Sequence, residues 1–139
     1  MPGKNRIQIG VLGDAFQGHV VIELQNRQIA PASALLSVRD EDVIHTFRSN
    51  KKDQLPRSWY ERLPEQLRQP KAVLLDLSKP KLPVVLLVFD QPGQRKKLVV
   101  ELDYQVKEGG QKVLTNLVRS GRLATDNELK GFDVLEGAL

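Results

Sequence analysis

KKLVVELDYQVKEGGQKVLTNLVRSGR, residues 96–122, carries the most regular pattern in the chain. Leu98, Val100, Leu102, Tyr104 and Val106 alternate with Lys97, Val99, Glu101, Asp103 and Gln105. A period of two with one apolar face is the signature of a half-buried β-strand. Gly109-Gly110 supplies a turn, after which Val113, Thr115, Leu117 and Arg119 alternate with Leu114, Asn116, Val118 and Ser120, and Gly121 is expected to stop the strand. Upstream, residues 71–77 and 82–89 are two more strand candidates. Pro80 and Pro83 confine their junction to a turn or an edge, and Asp90-Gln91-Pro92-Gly93 is a further turn. The expectation is a four-stranded antiparallel meander.

Before the meander the period changes. Ser37 with Asp40 resembles a capping box, and Asp40, Glu41 and Asp42 suit the electropositive first turn of a helix. Val43, Ile44 and Phe47 supply an apolar stripe and Lys51 and Lys52 a basic end, which predicts a helix over 39–50. Pro56 opens a second helix with Trp59, Leu63 and Leu67 on one face, kinked or split at Pro64. Residues 6–12 and 19–25 alternate through Ile7, Ile9, Val11 and then Val20, Ile22, Leu24, which predicts an N-terminal hairpin. Residues 26–37 read as a loop, and 126–139 carry weak helical spacing through Leu129, Phe132 and Leu135. The fold class expected is α+β: an N-terminal β-hairpin segment, two helices, then a four-stranded antiparallel sheet. Residues 1–34 would form the arm and 35–139 the domain with a short C-terminal tail. One sheet face would meet the helices and the other water or a ligand.

Composition narrows the function. The chain has 139 residues, 21 Lys and Arg against 17 Asp and Glu, a net charge of +4, two His and no Cys. That size matches one domain, and 40% hydrophobic with 27% charged residues describes a globular chain. Lack of cysteine removes disulfides, thiolate nucleophiles and Cys-rich zinc sites, and two histidines leave little for a His-built metal centre. No apolar run approaches the roughly 20 residues of a membrane span, and MPGKNRIQIG lacks a signal-peptide pattern. A cytoplasmic setting, without membrane, metal or cofactor, is expected. The charge permits a nucleic-acid partner.

No phosphate-binding Gly-rich loop and no Gly-flanked serine nucleophile is present, and Glu101 and Asp103, expected on one face, lack a third carboxylate for a two-metal site. Chemistry is left to His, Lys or Arg, and hydroxyl groups. His45 would lie towards the polar side of the first helix, one turn from Glu41 and Ser49 and near Arg48. An imidazole there can move a proton near neutral pH, although an ordinary surface histidine occupies the same kind of position. His19 flanks a strand edge. Basic groups cluster at Lys51-Lys52, at Arg95-Lys96-Lys97, and at Arg119 with Arg122. Arg119 and Arg122 end a strand beside Thr115, Asn116 and Ser120, where guanidinium, amide and hydroxyl groups can hold a phosphate, or simply form a solvated edge. Tyr60, Trp59 and Tyr104 are the aromatics able to stack on bases, Trp59 being the better core residue. These tools fit cleavage of RNA by its own 2′-hydroxyl.

The layout DEDVIHTFRSNKK, LPRSWYERLPEQLRQPKAVLLD, VVLLVFD, KKLVVELDYQVKEGG and QKVLTNLVRSGR, from Leu35 to Arg122, resembles a phage-associated branch of the BECR nuclease superfamily, which groups barnase, EndoU, the colicin tRNases and the RelE toxins. The resemblance implies two helices followed by a four-stranded antiparallel sheet. It also implies a metal-independent endoribonuclease, acting on tRNA or other RNA to leave a 2′,3′-cyclic phosphate, as a phage effector or toxin-like domain. Carried onto this chain, His45 would be base or acid, Arg48, Lys51 or Arg119 the cation, and Thr115 and Ser120 the phosphate-orienting hydroxyls. Lys52, Tyr60, Lys96, Lys97, Asn116 and Arg122 would contact RNA. Partners implied are RNA, an inhibitor or immunity protein, and a longer phage head or delivered protein. The alternative is a non-catalytic module of a phage particle that binds nucleic acid or protein.

Overall fold

The computed structural model describes residues 6–11, 19–32, 35–39, 62–67, 70–78, 83–90 and 95–138. In chain order these carry β1 (Arg6–Val11), α1 (His19–Asn26), β2 (Leu35–Arg39), α2 (Leu63–Gln66), β3 (Ala72–Asp76), β4 (Val84–Phe89), β5 (Arg95–Glu108), β6 (Gln111–Ala124), α3 (Asp126–Leu129) and β7 (Asp133–Gly137). The strands form one sheet of seven in the order β1-β2-β6-β5-β4-β3-β7. All neighbours run antiparallel except β2 and β6, which are parallel with Leu36, Ser37 and Val38 beside Asn116, Leu117 and Val118.

The expected α+β arrangement is overturned. Strands β3 to β6 follow one another antiparallel, but they are the middle of a mixed seven-stranded sheet rather than a sheet by themselves. Four local readings changed. Residues 19–26 are helical: Leu24 is fully buried while Ile22 is 55% exposed. Those two would share a face in a strand, whereas two residues along a helix turn about 200°. With residues 19–26 helical, β1 pairs instead with β2, Ile7 opposite Val38. Residues 35–39 form a strand, because Leu36 can enter the core while Ser37 bonds across to Thr115 Oγ1 at 2.8 Å rather than capping a helix. At the C-terminus, α3 is a single turn capped by Thr125, and residues 133–137 then pair with β3 as the far edge strand. Gly121 does not end β6, which continues to Ala124. Beyond Arg39 the predicted first helix lies outside the described residues, as does the predicted second helix before Arg62.

Both faces of the central strands are covered, contrary to the expectation of one open face. All six residues of β4, VVLLVF, are buried. Val85, Leu87 and Phe89 join Val73, Leu75, Leu98, Val100, Leu102, Val118 and Leu135 of β7 on one face, beneath Leu24 and Leu67. Val84, Leu86 and Val88 join Ala72, Leu74 and Ala124 on the other, beneath Leu129 and Phe132. A continuous apolar run is what a strand buried on both sides requires. We call these the first and second faces.

Candidate functional site

The site lies on the second face, where β2, β6 and β5 adjoin. Two β-bulges build it. Pairing of β5 with β6 shifts between Val99 and Val100 and again between Glu101 and Tyr104. At the first shift Val99 faces Ser120 and Val100 faces Val118, so Arg119 is the extra residue. At the second, Glu101 faces Leu117 and Tyr104 faces Thr115, with Asp103 in the left-handed region at φ 52°. A bulge lets residues at odd spacing share a face and re-aims a side chain. Here Glu101 and Tyr104, three apart, both reach the second face, so Tyr104 leaves the apolar row that strict alternation assigned it.

Asp103 is held by both neighbours. Its amide donates to Asn116 Oδ1 at 3.1 Å, and its carboxylate accepts from the Ala32 amide at 2.8 Å. Asp is one of the few non-glycine residues that tolerate this backbone conformation. Glu101 and Asp103 therefore have separate partners, contrary to the shared face expected of them.

Around this frame the Arg39 guanidinium lies 5.0 Å and that of Arg119 4.8 Å from the centroid of the Tyr104 ring. Arg119 Nη1 is 3.9 Å from Glu101 Oε2, with the side chains 31% and 13% exposed. Cations over an aromatic face gain from its quadrupole, more so when partly desolvated. Beneath them the hydroxyls of Ser37 and Thr115 bond to each other, both residues fully buried. The result is two cations, a phenol and a carboxylate presented together on a rigid sheet.

Of the residues expected from sequence, Arg119 stands in this cluster and Thr115 supports it from below. Asn116 is fully buried and holds the Asp103 bulge. Ser120 is exposed, opposite Val99. Lys96 forms an ion pair with Asp90, and Lys97 lies buried on the second face opposite exposed Arg122. His45, Arg48, Lys51, Lys52 and Tyr60 lie outside the described residues. The sequence reading passed over Arg39 as a site residue and gave Glu101 no role outside a metal site. The signal available for Glu101 was a carboxylate directly after the apolar run Leu98-Val99-Val100, and Arg39 carried none. Among the described residues no three His, Asp or Glu side chains come together as a metal cluster, and no helix is long and apolar enough to cross a membrane. Comparison with known protein families, with curated proteins and with solved structures returned no match.

Proposed function

We propose that this chain cleaves RNA at the Arg39–Glu101–Tyr104–Arg119 cluster, by attack of the 2′-hydroxyl on the neighbouring phosphate. The observation that carries the reading is the convergence of two guanidiniums on Tyr104, one of them 3.9 Å from Glu101. Because the layout implied by the BECR resemblance is not the fold of this chain, the proposal rests on the cluster and its chemistry.

Each group has a task. The Glu101 carboxylate accepts the 2′-hydroxyl proton as the 2′-oxygen bonds to phosphorus. Arg39 and Arg119 neutralise the charge that builds on the equatorial oxygens, where fixed cations act most strongly. The bond to the 5′-oxygen then breaks, and that oxygen takes a proton from the Tyr104 phenol or from His45, the acid suggested by the sequence. The products are a 2′,3′-cyclic phosphate and a 5′-hydroxyl, and no water is consumed. A role as a phage effector or toxin-like domain, with an inhibitor as partner, belongs to the same proposal.

The test is incubation of the purified chain with total tRNA in excess EDTA, alongside Glu101→Gln, Arg119→Ala and His45→Ala, each checked for folding by circular dichroism. Fragments ending in cyclic phosphate are expected, with Glu101→Gln and Arg119→Ala slower by about 10²-fold or more. A similar loss in His45→Ala assigns it the acid, and an unchanged rate leaves that task to Tyr104. No fragments from the folded wild type, with salt-dependent RNA binding retained, would replace the proposal by the binding module.

A further inference from the structure

The second face continues past the site along β5 and β6, where its three cations, Arg95, Lys97 and Arg122, are treated differently. Arg95 is 2% exposed, and its guanidinium meets Asp126 at 3.3 Å and the Asp90 carbonyl at 2.8 Å. Lys96, opposite Phe89 and so on the first face, is paired with the Asp90 carboxylate. Lys97 and Arg122, by contrast, are directly opposite each other, and neither side chain has a hydrogen bond or ion pair to any described residue. Like charges side by side on a sheet repel, and Lys97 is also 8% exposed. Burial and the Arg122 charge hold the Lys97 ammonium below its usual range, with Glu128 and Asp76 opposing from beyond salt-bridge distance.

A bound anion would relieve this pair. Its place in the register identifies the kind of anion. Lys97 is four residues from Glu101 on the same strand and the same face, about 13 Å at the usual strand rise. Arg122 is three residues from Arg119, with Ser120 exposed between them. A polynucleotide lying with one phosphate at Arg119 would carry another of its phosphates towards the second pair, as cationic grooves that track a backbone do.

We propose that Lys97 and Arg122 form a second phosphate subsite, which holds a phosphate further along the RNA whose scissile bond lies at Glu101 and Arg119. This rests on the reading of the Glu101 cluster as a phosphodiester site. The subsite contributes to binding longer substrates and takes no part in the bond-making step.

Chain length separates the two roles. Cleavage of a dinucleoside monophosphate, which has only the scissile phosphate, is compared with cleavage of an RNA octamer, in wild type, Arg122→Ala and Lys97→Met. Binding of an uncleavable 2′-O-methyl octamer is followed by anisotropy across a salt series. The expected result is an octamer kcat/KM lower by about 10-fold in Arg122→Ala with the dinucleotide rate unchanged, and a salt slope reduced by about 0.7 for the lost contact. Lys97→Met, which keeps the buried stem, should give the same pattern. If wild type cuts nothing but Arg122→Ala still weakens octamer binding with the reduced slope, the cleavage reading fails and the phosphate subsite stands. Unchanged octamer affinity and slope in both variants would overturn the subsite, as would competition by polyglutamate as effective as by the octamer.

Discussion

Lys97 has its side chain against Val88 and Arg122 on a face that otherwise becomes apolar at Val99 and Ala124. Its lowered proton affinity makes the native state disfavour the charge that the unfolded chain keeps up to the ordinary value of 10.5. The sign follows from linkage: stability rises with pH between the lowered native value and 10.5, because over that window the unfolded state holds the extra proton. Replacing Lys97 with Met should therefore stabilise the chain at neutral pH by about 1 kcal/mol and remove the alkaline rise, as read by urea unfolding at several pH values. Arg119 shows how little of a role can be read from a residue alone. Its type and position were legible as a phosphate-holding candidate, but its partners were not. Glu101, Tyr104 and Arg39 come from two other strands, and Arg39 is brought in by a parallel pairing that no local pattern announces.

At the scale of elements, α1 shows how a single pattern supports two structures. Val20, Ile22 and Leu24 satisfy a strand, but the segment ends as a helix ends. The Ile29 amide bonds to the Leu24 carbonyl at 2.8 Å, the Gln28 amide to the Gln25 carbonyl at 2.9 Å, and Gln28 has φ 63°. That is a Schellman closure with glutamine where glycine is usual, and Ile29 packs against the cluster that contains Leu24. Gln28→Gly should thus raise the thermal midpoint, by up to about 1 kcal/mol of stability, with far-UV circular dichroism unchanged. A loss of stability would show that the glutamine side chain matters more than its backbone conformation. The β5–β6 hairpin was legible for the opposite reason. Gly109 and Gly110 both take positive φ, 57° and 80°, as a two-residue turn of this kind demands, so the sequence marks the turn without ambiguity. Its two bulges were not legible. The second is held by Asn116 accepting from the Asp103 amide, a contact that exists only once the strands are in register.

Across the whole molecule, β3 and β4 are the most completely buried of the strands whose burial is described, and β1 and β7 are the edges of the sheet. Hydrogen exchange should be slowest in β4 and β5 and faster in β1 and β2, which join the rest only along Leu36 to Val38. The other edge is tied to α1 through Arg27, whose Nε meets Asp133 Oδ2 at 2.5 Å and whose Nη1 meets Glu23. The Arg27 hydrogen bond holds the Asp133 carboxyl below its ordinary range. The contribution of that pair is complete above the ordinary carboxylate value and is lost as pH falls through the lowered one. Acidification below about pH 4 should accordingly lower the protection factors of the β7 amides in wild type, after division by the slower intrinsic exchange at acid pH, whereas in Arg27→Gln they should be low at either pH. The sequence by itself determined the consecutive strands β3 to β6, the Gly109-Gly110 turn and the apolar run of β4, because alternation and turn chemistry are local and those partner strands follow in order. It also determined which residue types were on hand for phosphate chemistry. Only the tertiary structure decided that these strands are the middle of a wider mixed sheet covered on both faces, and that Arg39, Glu101, Tyr104 and Arg119 meet. Those outcomes depend on β2 lying parallel to β6 and on two one-residue shifts in register, and such non-local pairings leave no periodic trace in the chain.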